Sequence, residues 1–115
     1  MKIAYAKDAK EFKNSDACTA LEYPLHDPDI NAAVVKINGR YPDAGLAVNT
    51  KVREMIYIIE GQGTLMLEGK STILHKGDVV LIEPNEKYFW QGDLTMFVPC
   101  TPAWSPEQHH IHPVD

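Results

Sequence analysis

From Ala32 onward the apolar positions fall in short runs separated by Gly, Pro, Asn and Asp. Ala32–Ile37 (AAVVKI) reads as a strand and NGRYPDAG as the turn after it. Gly45–Asn49 is a short strand, and Met55–Glu60 (MIYIIE) is rich in β-branched and aromatic residues. Gly61-Gln62-Gly63 predicts a turn into Thr64–Glu68. Glu68-Gly69-Lys70 predicts a tight hairpin into Ser71–Leu74. Val79–Ile82 follows Gly77-Asp78, and Glu83-Pro84-Asn85-Glu86 is a further turn. Tyr88–Gln91 and Leu94–Val98 are the last two expected strands. Helical periodicity is poor; the one short candidate is Lys7–Phe12, a turn opening at Asp8. Many short strands at regular spacing predict an all-β sandwich or barrel.

Several of these strands are apolar on both faces. In MIYIIE, Ile56 and Ile58 share one side, and Met55, Tyr57 and Ile59 the other. A barrel strand needs only one apolar face, so the second requires cover. A homodimer packed sheet to sheet is the expected cover; the N-terminal segment of the same chain is the alternative.

Length and charge narrow the classes. A chain of 115 residues is expected to form one domain. A net charge of −5, with Lys and Arg scattered, argues against nucleic-acid binding, because phosphate requires a basic face. No apolar stretch approaches the roughly 20 residues that cross a bilayer, so no membrane partner is expected. The N-terminus carries charges of both signs and no apolar signal core, which makes a cytoplasmic location the expectation. Two cysteines, Cys18 and Cys100, without CxxC spacing are too few for a disulfide framework. They read as enclosed thiols, with a reactive Cys100 as the sharper alternative.

Two stretches carry a family resemblance. Glu54-x6-Gly61, with Gly63 after it and Gly39 upstream, resembles the end of the first cupin motif, G-x5-H-x-H-x3,4-E-x6-G. Gly77-Asp78, Glu83, Pro84 and Asn85 resemble the second, G-x5-P-x-G-x2-H-x3-N. The resemblance spans Ala32 to Val98. It implies a small single-domain cupin of the RmlC-like kind: a jelly-roll, or double-stranded β-helix, barrel with its core at 32–98. An N-terminal strand-and-turn segment would occupy 1–31, and a tail over 99–115 would pack on the barrel.

At the positions where the resemblance implies metal ligands, Ala47 and Asn49 stand for the first two histidines, or Val48 and Thr50 in the alternative spacing. Tyr88 stands for the third histidine, and Gly92 for the terminal Asn. Of the four usual ligands only Glu54 is present. Imidazoles supply most of the affinity for a divalent transition metal, so no cofactor is expected, with a weakly held divalent metal as the open alternative.

The inferred cavity holds Ala47, Asn49, Glu54, Tyr88 and Trp90, with Ile56 and Ile58 deeper; Lys51 and Arg53 are expected in solvent. A turn or bulge between Asn49 and Glu54 is required for both to face inward. An aromatic wall beside a few convergent polar groups is the usual make-up of a small-molecule pocket, and a sugar-like ligand suits it. A carboxyl in an apolar barrel has its pKa raised by desolvation, which fits it for general acid–base work. The leading expectation is therefore a cupin that binds a small polar ligand. The enzymatic alternative is an isomerase, epimerase or lyase using Glu54 and Tyr88 as catalytic residues, or a metal enzyme with atypical ligands. A filled barrel in a structural dimer is the third reading.

The tail QHHIHPVD carries His109, His110 and His112. A flexible tail accounts for them; the sharper reading folds the tail over the barrel mouth and lends a histidine to the pocket, with Trp104 as its anchor.

Overall fold

The computed structural model describes residues 1–113. Nine strands form one curled sheet: β1 (Lys10–Ser15), β2 (Cys18–Glu22), β3 (Asn31–Tyr41), β4 (Leu46–Asn49), β5 (Arg53–Leu67), β6 (Lys70–His75), β7 (Val79–Ile82), β8 (Lys87–Thr101) and β9 (His109–His112). The 15-residue β8 is the spine. One edge pairs antiparallel with β3 and then, past the bend at 42–45, with β4; the other pairs with β5. β6 and β7 continue the sheet beyond β5, β1 and β2 continue it beyond β3, and β9 is added outside β4. The fold is all-β.

Strand alternation places the core. Along β8 the buried residues are Tyr88, Trp90, Leu94, Met96, Val98 and Cys100, all of one parity. They meet Ile37 of β3, Ile56, Ile58 and Leu65 of β5, Leu74 of β6 and Ile82 of β7. In β5 the interior positions change parity between Ile58 and Leu65. The register against β8 shifts between Ile58 and Glu60, so a bulge takes up one residue there.

The two strands expected on either side of Gly92 are one strand, and Gly61-Gln62-Gly63 is strand rather than turn. Gly39, Gly92 and Gly63 lie side by side across β3, β8 and β5. A Cβ on Gly92 would stand 2.6 Å from Gly63 Cα, and one on Gly61 would stand 2.0 Å from Asp93 O. These glycines allow the close approach of two strands where the sheet curls. The Glu68-Gly69 hairpin agrees with expectation: both residues have positive φ, 50° and 78°, as a two-residue primed turn requires.

The expected helical turn over Lys7–Phe12 is a short 3-10 turn at Ala6–Asp8 followed at once by β1. Edge pairing of Phe12 with Ala20 overrides the weak local signal. The tail is not free: β9 pairs with β4 from Leu46↔His112 to Asn49↔His109.

Candidate functional site

The site is assembled where β4 ends and β5 begins. Between them Thr50, Lys51 and Val52 form a bend, which returns both Asn49 and Glu54 to the interior. Gln108, 2% exposed, holds that bend from the tail. Its backbone carbonyl accepts from Thr50 N (2.9 Å) and Thr50 Oγ1 (3.2 Å). Its side-chain Oε1 accepts from Lys51 N (3.2 Å) and Val52 N (3.4 Å), and its Nε2 donates to Asn49 Oδ1 at 3.0 Å. All the polar atoms of this buried amide are used, so its burial is not penalised.

Asn49 is a junction. Its Nδ2 donates to Glu54 Oε1 at 3.1 Å, and its Oδ1 also meets His109 Nδ1 at 2.8 Å. Because Asn49 Oδ1 can only accept, His109 carries its proton on Nδ1. The Nε2 of the neutral ring then accepts from the Tyr41 hydroxyl, 2.9 Å away. Burial, with His110 as a smaller cause, lowers the His109 pKa below its ordinary value. Tyr41 stacks near-parallel to the imidazole, and Trp104 packs against it at a tilt. One chain of hydrogen bonds thus runs from Tyr41 through His109 and Asn49 to Glu54.

Glu54, Tyr88 and Trp90 face a cavity of about 100 Å³, whose wall also includes Tyr41, His109, Trp104, Met96, Cys18, Cys100, Glu22 and Asn31. Desolvation pushes the Glu54 carboxyl up to about 7, against the pull of hydrogen bonds from Asn49 and Tyr88. The Tyr88 phenol is raised well above its usual range, chiefly by burial and next by the Glu54 charge, so it remains a proton donor. Tyr41 is raised to about 12, again mainly by burial.

Of the five residues expected in the pocket, Glu54, Tyr88 and Trp90 line the cavity. Asn49 lies behind Glu54, and Ala47 is wholly enclosed opposite Tyr88. Arg53 is in solvent and pairs with Glu83 through three contacts of 2.8–3.2 Å, so it leaves Glu54 alone. Lys51 is exposed as well. Cys100 is a hydrogen-bonded thiol rather than a reactive one. Its Sγ donates to Asn31 Oδ1 at 2.9 Å, and burial first, then the Glu54 charge, raises its pKa to about 12. His110 and His112 are exposed on β9. Sequence reading missed Gln108 and Tyr41. A glutamine before a β-rich segment carries no motif, and Tyr41 falls inside the stretch read as a turn.

The donor set does not fit a cupin-type metal. The ligand positions hold Ala47, Asn49, Glu54 and Tyr88. The one imidazole in the cavity wall has both nitrogens engaged. No group of three or more His, Cys, Asp or Glu is placed to hold a metal ion among the described residues.

Residues 42–94 match the family model Cupin_2, cupin domain, and the fold of the chain is that of a small cupin-type β-barrel. Pac13 of Streptomyces, described as a nucleoside dehydratase, superposes with a TM-score of 0.86 at 17% identity, over 98% of this chain and 92% of that one. Several forms of that protein were solved with uridine. KdgF from Halomonas sp. gives 0.72 at 15% identity, over 93% and 97%. Ectoine synthase from P. lautus gives 0.69 at 16%, over 100% and 94%. At such identities the likeness is one of fold. No curated protein matches the sequence.

Proposed function

We propose that the cavity binds a small, polar, ring-bearing molecule of the sugar or nucleoside type and that Glu54 moves a proton on it. The observation that carries this reading is the placement of Glu54. Its carboxyl faces the cavity with a pKa near 7. The Tyr88 phenol beside it keeps its proton. A group that is half ionised near neutrality both takes and returns a proton at low cost. As carboxylate it removes a proton from carbon next to a carbonyl, and the C–H electron pair moves into the enolate. A phenol donating to the enolate oxygen stabilises that charge. The enolate then collapses in one of two ways. Where the deprotonated carbon bears a hydroxyl, the Glu54 proton returns to the former carbonyl carbon while the hydroxyl proton passes to the former carbonyl oxygen, which isomerises the substrate. Expelling a β-hydroxyl, which leaves as water with the Glu54 proton, dehydrates it. His109 and Asn49 hold the carboxyl rather than react, since their polar atoms are already bonded.

The flat faces of Tyr88, Trp90 and Trp104 in the wall suit a ring. The description of Pac13 as a nucleoside dehydratase, and its structures with uridine, support the same substrate class and the elimination branch. The test is exchange in deuterated water on aldehyde or ketone forms of sugars and nucleosides. Glu54→Gln is expected to abolish deuterium uptake while retaining ligand-induced thermal stabilisation. Uptake that persists in Glu54→Gln rules the reading out.

We also propose that the protein works as a homodimer. Leu21, Val34, Phe97, Tyr57 and Val79 are in register across β2, β3, β8, β5 and β7 on the outer face. Phe97, Tyr57 and Val79, with Met55 and Leu81, are 40–58% exposed, and the N-terminal segment leaves them so. An exposed apolar ladder of this kind can pack against its own copy about a two-fold axis. Sedimentation is expected to give a dimer that Tyr57→Arg dissociates. A cytoplasmic setting suits the two free thiols, Cys18 and Cys100.

A further inference from the structure

Two acidic side chains line the cavity. Glu54 lies with Tyr88, Tyr41 and His109 in its wall, and Glu22, at the end of β2, is the second. Cys100 pairs with Asn31 on one side and with Glu54 on the other, and the charges of both carboxylates push its thiol upward in addition to burial. Glu22 is itself raised, with burial as the cause, so it too is partly withdrawn from water. Its nearest opposite in the ladder is Lys10 of β1. Lys10 lies in the adjoining outer groove, which Glu22 also lines, and makes no ion pair with Glu22 among the described residues. No Lys or Arg lines the cavity among the described residues, and the one histidine there is neutral with both ring nitrogens engaged.

We infer that the cavity excludes anions, and that Glu22 sets specificity by receiving a second polar group of the ligand, other than the one that meets Glu54. That group is an uncharged hydrogen-bond donor or an amine, and phosphorylated or carboxylated sugars are rejected. An anion entering would give up its hydration to meet two carboxylates across a medium of low dielectric, in a wall that holds no Lys or Arg among the described residues. A hydroxyl or ammonium group meets an acceptor at either carboxylate instead. This rests on the ligand-binding reading above and names the charge of its ligand.

The chain supplies its own reporters, because its two tryptophans, Trp90 and Trp104, both line the cavity. Fluorescence quenching by iodide is compared with quenching by neutral acrylamide at constant ionic strength, at a pH where both carboxylates are ionised. Iodide is expected to quench roughly threefold less effectively than acrylamide, and Glu22→Gln to raise the iodide value roughly twofold while leaving acrylamide unchanged. Glu22→Ala serves if the Gln variant does not fold. Iodide that quenches the native protein as well as acrylamide overturns the inference. Iodide that is excluded but indifferent to the Glu22 substitution overturns the role of Glu22. Neither result touches the deuterium-uptake test of Glu54, so the two ideas fail separately.

Discussion

Asn49 and Glu54 face each other across the β4–β5 bend, 3.1 Å apart, with the amide donating to the carboxyl. The amide cannot turn over. Its oxygen is held by Gln108 Nε2 and His109 Nδ1, so only its nitrogen is left for Glu54. A strand contributed by the tail thereby fixes the orientation of a group about 55 residues earlier in the chain.

Replacing Asn49 by Leu, of similar volume, removes a hydrogen bond that favours the ionised carboxyl. The Glu54 pKa is expected to rise further, by roughly one unit. The variant also leaves the Gln108 and His109 donors without their acceptor, at about 1–3 kcal/mol each. Carbon NMR of the glutamate carboxyls follows the titration directly. An unchanged or lowered Glu54 pKa means that the bond does not form in solution.

Stability should depend on Glu54 with a definite sign. Its folded pKa, about 7, lies above the ordinary 4.5 of an unfolded chain. The folded state therefore holds the proton more tightly. Its advantage is full below pH 4.5 and is lost as pH rises through the folded value. The gap corresponds to about 3 kcal/mol. Glu54→Gln keeps the shape without the charge, so it should gain about that much over the native protein between acid and mildly alkaline pH. Urea midpoints of both proteins across that range supply the difference. A native protein that instead gains on Glu54→Gln with rising pH carries an ionised, compensated carboxyl.

Much of the barrel is readable from residues that obey a local rule. Val79–Ile82 and the Glu68-Gly69 hairpin follow from branched side chains and from a pair of positive-φ residues. What misled were glycines in strands. Gly61, Gly63 and Gly92 look like turn residues in one dimension, and their reason is a neighbour some 30 residues away. The same holds for the site. Glu54, Tyr88 and Trp90 were legible from motif spacing and alternation. A tail histidine at the pocket was open as the sharper reading of His109, His110 and His112, but which of them turns inward follows from pairing of β9 with β4, and the role of Gln108 before it from bonds to the 50–52 bend, neither of which a local pattern encodes.

That contrast among glycines can be measured. Gly92 has φ +136°, and an added Cβ would press on Gly63 Cα and Gln62 O, both backbone atoms. Gly69 has φ +78° and open space around it. Gly69→Ala should cost only backbone strain, about 1–2 kcal/mol. Gly92→Ala adds a clash that backbone must move to relieve, and should cost about 3 kcal/mol or more. Denaturant unfolding of the two variants settles the order. Equal losses would mean that β5 and β8 lie farther apart than the structure places them.

His109 gives the opposite pH sign from Glu54. Burial lowers its folded pKa below the ordinary 6.5, so the unfolded chain takes up the proton first on acidification. Protonation in place would also put a hydrogen on Nε2, which now accepts from Tyr41. The stability that neutral His109 provides is present above pH 6.5 and declines as pH falls toward the folded value. His109→Gln cannot titrate, so the native protein should lose ground to it on acidification from pH 7 to 5, although the native protein is the more stable at pH 7. Because the absolute stabilities also contain the lost bonds to Asn49 and Tyr41, the informative quantity is the slope of the difference against pH. A flat difference would mean that His109 titrates alike in the folded and unfolded chain, and that β9 leaves it in water.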